Sequence, residues 1–155
     1  MRHHRSLAIA GAALAAGLLL VVGTVGGAVA ARPAVITIAI DFELSETFTT
    51  ESAVLCSSGI AYTDFHFGAG NFVTAGSFHL DKTLVCDDGS GSFTIRVNAG
   101  TNFVVGQGTT GGWSVVPGSG TGDYIGLHGG GNIVGINSDT PPIDLTDYYF
   151  GRVQL

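Results

Sequence analysis

Basic side chains are scarce in this sequence. Its 155 residues include 6 lysines and arginines against 12 aspartates and glutamates. No cluster of basic residues is available to neutralise the phosphates of a nucleic acid. An acidic surface also repels anionic lipid headgroups. Nucleic acids and anionic membrane surfaces are therefore poor candidates for partners.

Cysteine is scarce as well, since Cys56 and Cys86 are the only two in the chain. Their separation does not match the C-x-x-C spacing of thiol redox and zinc sites, which argues against a catalytic or metal-bound thiol. Outside the cytoplasm a lone pair of cysteines usually forms a disulfide. We predict a Cys56–Cys86 disulfide that stabilises the fold by about 3 to 4 kcal/mol.

Long hydrophobic runs are rare, and the one that stands out is at the N-terminus. A short basic head precedes an uncharged segment, residues 6–30, which ends in an A-x-A triplet at Ala28–Ala30. This order is typical of a signal peptide, so we predict that residues 1–30 are cleaved before Ala31 and that the protein is secreted. The alternative is an uncleaved membrane tether, because the run exceeds the roughly 18 residues that suggest a transmembrane helix.

Removal of this segment would leave a mature domain of residues 31–155 with 4 basic and 12 acidic side chains, a net charge near −8. A chain of this size forms one domain and can bury a core without metals or dense disulfides. After cleavage we expect no contact with a membrane. The remaining basic residues are Arg32, Lys82, Arg96 and Arg152.

Helical periodicity is nearly absent after the N-terminal segment. Short runs rich in Val, Ile, Thr and Phe recur instead between glycine-rich turns, a pattern typical of strands. Eight such runs predict an all-β domain that follows a signal helix and closes into a single antiparallel barrel without exposed sheet edges. The predicted strands are Val35–Phe42, Ser52–Cys56, Ala61–Phe67, Gly76–Cys86, Ser92–Val97, Trp113–Val116, Asp123–Ile136 with an interruption at Gly129–Gly131, and Tyr148–Gln154.

One hairpin register can be predicted from the alternation of side chains. An antiparallel turn about Asn71–Val73 places Phe65 opposite Leu80 and Phe67 opposite Phe78. Directly opposed residues lie on the same face of a sheet, so one face of this hairpin is apolar. That face is the candidate lining of a binding site.

The other face of the same hairpin is polar and has ligand-like spacing. Residues i and i+2 of a strand share a face with their cross-strand neighbours, so a divalent metal could bridge the side chains. A solvated polar face without a metal is the simpler interpretation, and we predict no cofactor. The residues concerned are Asp64, His66, His79 and Asp81.

The glycine-rich segments do not match known ligand motifs. The segment Cys86–Gly91 is a reverse-turn signal that joins two strands, but it lacks the ligand order of a calcium loop. The segment Pro117–Tyr124 lacks the lysine and the following helix of a phosphate-binding loop. No serine lies in a nucleophile elbow, so no catalytic residue is assigned.

A family resemblance is carried by Gly76–Phe78, Trp113–Pro117 and above all Gly118–Gly129. The last run resembles the G-S-G-T-G-x-[LY]-x-G-[LI]-x-G segment of small bacterial barrels similar to the allene oxide cyclase and dirigent group. The resemblance implies an eight-stranded calycin-like barrel. Plant members either cyclise a fatty-acid epoxide or steer the coupling of phenol radicals, and none of their catalytic residues maps onto this chain by motif.

These observations support three functional hypotheses. The first is a secreted barrel that binds a small apolar or aromatic molecule. The second is an isomerase or cyclase that acts by confinement, with Asp123, His128 or Arg96 as an acid or base inside the barrel. The third is a cell-surface interaction module without a pocket. The candidate ligand-binding residues are Phe65, Phe67, Phe78, Leu80 and Trp113.

Overall fold

The computed structural model describes residues 34–41, 46–71, 75–101, 108–137 and 145–155, which form a closed antiparallel barrel of eight strands. The predicted signal helix lies outside these ranges. The described residues contain no helix that is both long and apolar enough to cross a lipid bilayer. The strands are β1 (Ala34–Asp41), β2 (Thr47–Thr50), β3 (Ser58–Asn71), β4 (Ala75–Cys86), β5 (Ser92–Thr101), β6 (Thr109–Val115), β7 (His128–Asn137) and β8 (Leu145–Gln154).

The strand order is up and down. Each strand pairs with the next along the chain, and β8 pairs with β1 to close the sheet. Strand β5 shows why these residues form strands, because Phe93, Ile95 and Val97 are buried while Arg96 and Asn98 between and beside them are exposed. This period of two places the apolar side chains in the barrel interior. The predicted eight-stranded all-β barrel is confirmed.

The predicted hairpin register between β3 and β4 is also confirmed. Phe65 pairs with Leu80 and Phe67 with Phe78, while the alternate rows pair Asp64 with Asp81 and His66 with His79. The pairing shifts by one residue between Phe67 and Ala69, which marks a bulge. Residues 72–74 of the predicted turn lie outside the described ranges.

The predicted strand Ser52–Cys56 is wrong. The second strand ends at Thr50, and the Ser52 hydroxyl accepts hydrogen bonds from the backbone N–H groups of Val54 and Leu55. Such local bonds fold the chain into a turn and compete with a sheet ladder. Leu55 and Cys56 are buried because this turn packs against one end of the barrel.

The predicted strand Asp123–Ile136 starts too early, and its predicted interruption is absent. Gly122–Tyr124 is a short 3-10 turn, and β7 begins at His128 and continues through Gly129–Gly131. A side chain at Gly131 would place its Cβ 1.9 Å from the Phe150 carbonyl oxygen. These glycines therefore allow close packing within a strand and do not end it.

Trp113 explains why glycine is needed in this part of the wall. Its row of the sheet continues through Gly131 to Gly151, and both glycines face the interior as Trp113 does. The buried indole occupies the space over Gly151, where a Cβ would lie 2.7 Å from Trp113 Cζ2. The indole N–H donates to the Phe150 carbonyl at 3.3 Å, so the polar group of this buried ring has a hydrogen-bond partner.

One end of the barrel is capped. The predicted disulfide between Cys56 and Cys86 is present and joins the turn after β2 to the end of β4. Tyr124 lies beside it, with its hydroxyl accepting from the Cys56 N–H at 2.9 Å and bonding Ser90 Oγ at 2.9 Å. We call this the capped end, and we call the opposite end, where β1, β3, β5 and β7 finish, the distal end.

Candidate functional site in the barrel interior

Within the described ranges, the strand pairing between β2 and β3 is short. Strand β2 pairs with β3 only through Ser58–Ile60, and within the described ranges no strand pairs with the β2 side of β3 from Tyr62 onward. Phe65 lies on this stretch and is 47% exposed, whereas its cross-strand partner Leu80 is 3% exposed. The inner face of β3 therefore reaches the surface at Thr63 and Phe65, which we call the β3 rim.

Aromatic and aliphatic side chains line the interior next to the β3 rim. The rings of Phe65 and Phe78 stack with centroids 5.7 Å apart, so the apolar face predicted for this hairpin is formed. Phe78, Leu80 and Trp113 are all buried in the interior. The side chain of Phe67 lies outside the described set. The structure thus unites Phe65 and Phe78 at the rim and places Leu80 and Trp113 deeper.

A polar cluster lies on the inner faces of β3 and β4, one inward-facing pair closer to the capped end than Phe65 and Leu80. Lys82 is fully buried, and its Nζ donates to Glu46 Oε2 at 3.2 Å and to Thr63 Oγ1 at 2.8 Å. The Thr63 hydroxyl donates in turn to the same Glu46 oxygen. A buried ammonium is tolerated only when it is paired and hydrogen-bonded, and this arrangement meets that requirement. The Glu46 side chain is 19% exposed and connects the cluster to solvent.

Asp147 and Tyr149 extend this cluster on the inner face of β8. Asp147 is 3% exposed and Tyr149 is completely buried. Within the described residues, neither Asp147 Oδ1 nor the Tyr149 hydroxyl has a partner in hydrogen-bond geometry. An unpaired buried polar atom costs about 1 to 3 kcal/mol, so two in adjacent positions need an explanation. They mark this part of the interior as a candidate site.

The electrostatics of the interior follow from burial and from two carboxylates sharing one ammonium. Burial raises the pKa of Asp147 to about 6, the nearby Lys82 ammonium opposes this rise, and the Glu46 carboxylate adds to it. The Tyr149 hydroxyl also lowers the pKa of Asp147, through a close approach without good hydrogen-bond geometry. Burial lowers the pKa of Lys82 and raises that of Tyr149. Asp147 therefore changes its protonation in mildly acidic solution.

No motif in the sequence identifies this cluster, although the sequence contains part of the signal. The confirmed register pairs Thr63 with Lys82. Lys82 therefore has the same inward parity as Leu80 and Leu84, which are two residues before and after it on β4 and are buried. A lysine at such a position needs a buried partner. Nothing in the sequence indicates that the partners come from Glu46 and from β8.

The outer face of the β3–β4 hairpin holds the residues considered for a metal. The rings of His66 and His79 stack at 5.5 Å, and His66 Nε2 lies 3.5 Å from Asp64 Oδ2. Both oxygens of Asp81 accept hydrogen bonds from Arg96 at 2.8 Å, which lowers the pKa of Asp81. In the part of the chain that the structure describes, no three His, Cys, Asp or Glu side chains are arranged to hold a metal ion.

The acid and base candidates from the sequence are not in the interior. Arg96 points outward to Asp81, and Asp123 lies exposed on the turn before β7. His128 is exposed because it has the outward parity of β7, with its side chain close to the Gln154 amide. Among the described residues, the ionisable side chains of the interior are instead Glu46, Lys82, Asp147 and Tyr149.

The fold and the cluster define a small all-β barrel with ionisable groups in its core. Residues 39–146, more than half of the chain, match the family described as "Protein of unknown function (DUF3224)", and the chain belongs to this family. No curated protein and no solved structure matches it. The barrel agrees with the fold implied by the resemblance to allene oxide cyclase and dirigent barrels, and the family description assigns no activity.

Proposed function

We propose that this protein is a secreted barrel that binds a small apolar or aromatic molecule at the β3 rim. The observation that carries the proposal is that one barrel contains both the half-exposed Phe65, stacked on Phe78, and the unpaired buried polar atoms of Asp147 and Tyr149. Binding sites for small molecules combine apolar walls with a few polar groups that fix orientation. The disulfide and the signal-like N-terminal segment support an extracellular location.

The binding energy would come mainly from the apolar rim. A ligand that covers Phe65 removes exposed aromatic surface from water, and such burial contributes about 25 cal/mol per Å². The polar cluster below would contribute direction more than affinity, because it lies deeper than the aromatic pair. Because the rim would supply most of the affinity, we predict that loss of the Phe65 ring weakens binding of every ligand with an apolar body.

A thermal-shift screen with calorimetry tests the proposal. The panel contains fatty acids, fatty alcohols, phenols and polyketide-like aromatics, and at 100 times its Kd a ligand stabilises the fold by about 2.7 kcal/mol. Phe65→Ala should weaken binding at least about tenfold. Tyr62→Ala is the matched control, because Tyr62 is an aromatic on the same strand with 60% exposure on the outer face. The proposal fails when no compound raises the Tm.

An isomerase or cyclase is a second candidate, and the interior acid favours it. Asp147 has a pKa near 6 in a buried site next to Tyr149, which suits proton transfer near neutral pH. Confinement of a reactive substrate could supply much of the remaining rate. In an assay with reactive epoxides or enones, Asp147→Asn should abolish turnover and retain binding. Equal turnover by the wild type and by Asp147→Asn would refute the enzyme hypothesis.

The third candidate, an interaction module, is supported by an apolar strip on the outer face of β7 and β8. Val134, Ile136 and Phe150 are 39%, 57% and 45% exposed, and Phe150 stacks with Tyr148 at 6.3 Å. Exposed apolar patches of this kind often mark protein contacts. Light scattering during gel filtration tests self-association, which Ile136→Ser should reduce. A monomer at high concentration would argue against contact between copies.

A further inference from the structure

The charged groups that the described residues place in the barrel interior do not balance. Glu46 and Asp147 contribute two carboxyl groups, while Lys82 contributes the one ammonium found among the described interior residues. Lys82 is already engaged by Glu46 and Thr63. When both acids are ionised, this region therefore carries an excess negative charge around Asp147. In a buried site, a further anion would be repelled and would also lose its hydration.

The two unpaired atoms specify a complementary group. An ionised Asp147 Oδ1 accepts hydrogen bonds only, whereas the Tyr149 hydroxyl donates one and can accept another. A ligand hydroxyl can donate to Asp147 and accept from Tyr149, and an amide presents the same donor and acceptor pair. A ligand carboxylate only accepts, so it can bond Tyr149 but leaves Asp147 unpaired.

We infer that the interior site selects neutral molecules that carry an O–H or N–H donor on an apolar body, and that it rejects carboxylates with the same skeleton. The inference rests on the proposed binding function and adds the class of ligand. It depends on the geometry at Asp147 and Tyr149 and on the excess of carboxylates over ammonium groups. Apolar contact alone would bind both members of such a pair in proportion to their buried surface.

Matched ligand pairs test the inference. 1-Octanol is compared with octanoate, and 3-phenylpropanol with 3-phenylpropanoate, by calorimetry at pH 8, where the Asp147 carboxyl with its pKa near 6 is ionised. The alcohol of each pair should bind at least about tenfold more tightly than the acid. Asp147→Asn should reduce this ratio to about threefold or less, because it removes a charge and supplies a donor.

Two further variants separate the site from general effects. Asp123→Asn makes the same change in net charge at an exposed position and should leave the ratio unchanged. Tyr149→Phe removes a hydroxyl that can donate to either head group, so it should weaken both ligands and leave the alcohol the tighter one. It supplies a second test if Asp147→Asn fails to fold by circular dichroism, since loss of the preference for the alcohol would contradict the role of Asp147. Equal binding of both members, or tighter binding of the acid, would overturn the inference and leave the binding function intact. Binding of neither member of either pair would overturn the inference, and the wider thermal-shift screen would then decide the binding function by itself.

Discussion

Lys82 Nζ lies 3.2 Å from Glu46 Oε2 inside the barrel, and the two residues are differently exposed. Lys82 is fully buried, whereas 19% of the Glu46 side chain remains accessible. Removal of one partner from a buried ion pair is costly because the remaining charge keeps its desolvation penalty. Because only Lys82 is fully buried, we predict that removal of Glu46 and removal of Lys82 lower the free energy of unfolding by different amounts.

Glu46→Gln should destabilise the protein more than Lys82→Met. The glutamine removes the carboxylate that is hydrogen-bonded to a fully buried ammonium and leaves the nearby Asp147 as the remaining counter-charge, for which we expect a loss of about 3 kcal/mol in the free energy of unfolding. Lys82→Met leaves the Glu46 carboxylate, which can still reach water, and the buried Asp147, whose raised pKa allows it to take up a proton. The double variant should recover much of the loss, and urea denaturation of all three measures this. Equal losses in both single variants would contradict the assigned geometry.

Stability should fall as the pH rises from about 4 to about 7, through the contribution of Asp147. Burial raises the pKa of this carboxyl from 3.8 to about 6, against the opposing Lys82 and Tyr149 and with the help of Glu46. The folded protein therefore holds its proton more tightly than the unfolded chain. The stabilisation is fully present below the unfolded pKa and is lost as the pH passes the folded value.

Asp147→Asn tests this contribution. The asparagine has no proton to lose, so the variant should gain relative to the wild type as the pH rises, by up to about 3 kcal/mol at pH 7. Denaturation at pH 4, 5, 6 and 7 measures the difference, and Asp123→Asn at an exposed position serves as the control. A difference that stays constant with pH would show that Asp147 is not held near pKa 6.

Reduction of the disulfide should loosen the capped end. The bridge joins cysteines separated by 30 residues, and in the chain-entropy model such a loop contributes about 3 to 4 kcal/mol. The Cys56→Ser, Cys86→Ser double variant should show this loss in denaturant, and dithiothreitol should lower the Tm of the wild type alone. If the reductant also lowered the Tm of the double variant, the effect would not come from this bridge.

Gly151→Ala should be damaging although alanine is a small residue. Its Cβ would lie 2.4 Å from the Gly130 carbonyl oxygen and 2.7 Å from the Trp113 ring, so the sheet or the indole must shift. Overpacking of this kind costs about 1 to 3 kcal/mol. Gly112→Ala is the matched control, since its nearest neighbour would be at 3.5 Å. The Tm of both variants and the fluorescence of Trp113 report the result.

Features set by neighbours in sequence could be predicted without the structure. The alternation around Phe65 and Leu80 specified the hairpin register, because a slip of one residue would turn every apolar side chain to the other face. The turn Cys86–Gly91 and the pairing of the only two cysteines followed from the same local chemistry. The same reasoning predicted a strand at Ser52–Cys56, which is wrong. The apolar residues of this segment pack against the capped end, and the Ser52 hydroxyl stabilises a turn there.

The sequence by itself therefore determined the class of fold, the register of one hairpin and the disulfide, because periodicity and turn chemistry act over a few residues. Only the tertiary structure decided that Glu46, Lys82, Asp147 and Tyr149 share one interior. These residues come from distant parts of the chain, and their approach depends on closure of β8 onto β1. The balance between desolvation and charge pairing, which sets the chemistry of this interior, exists only after that closure.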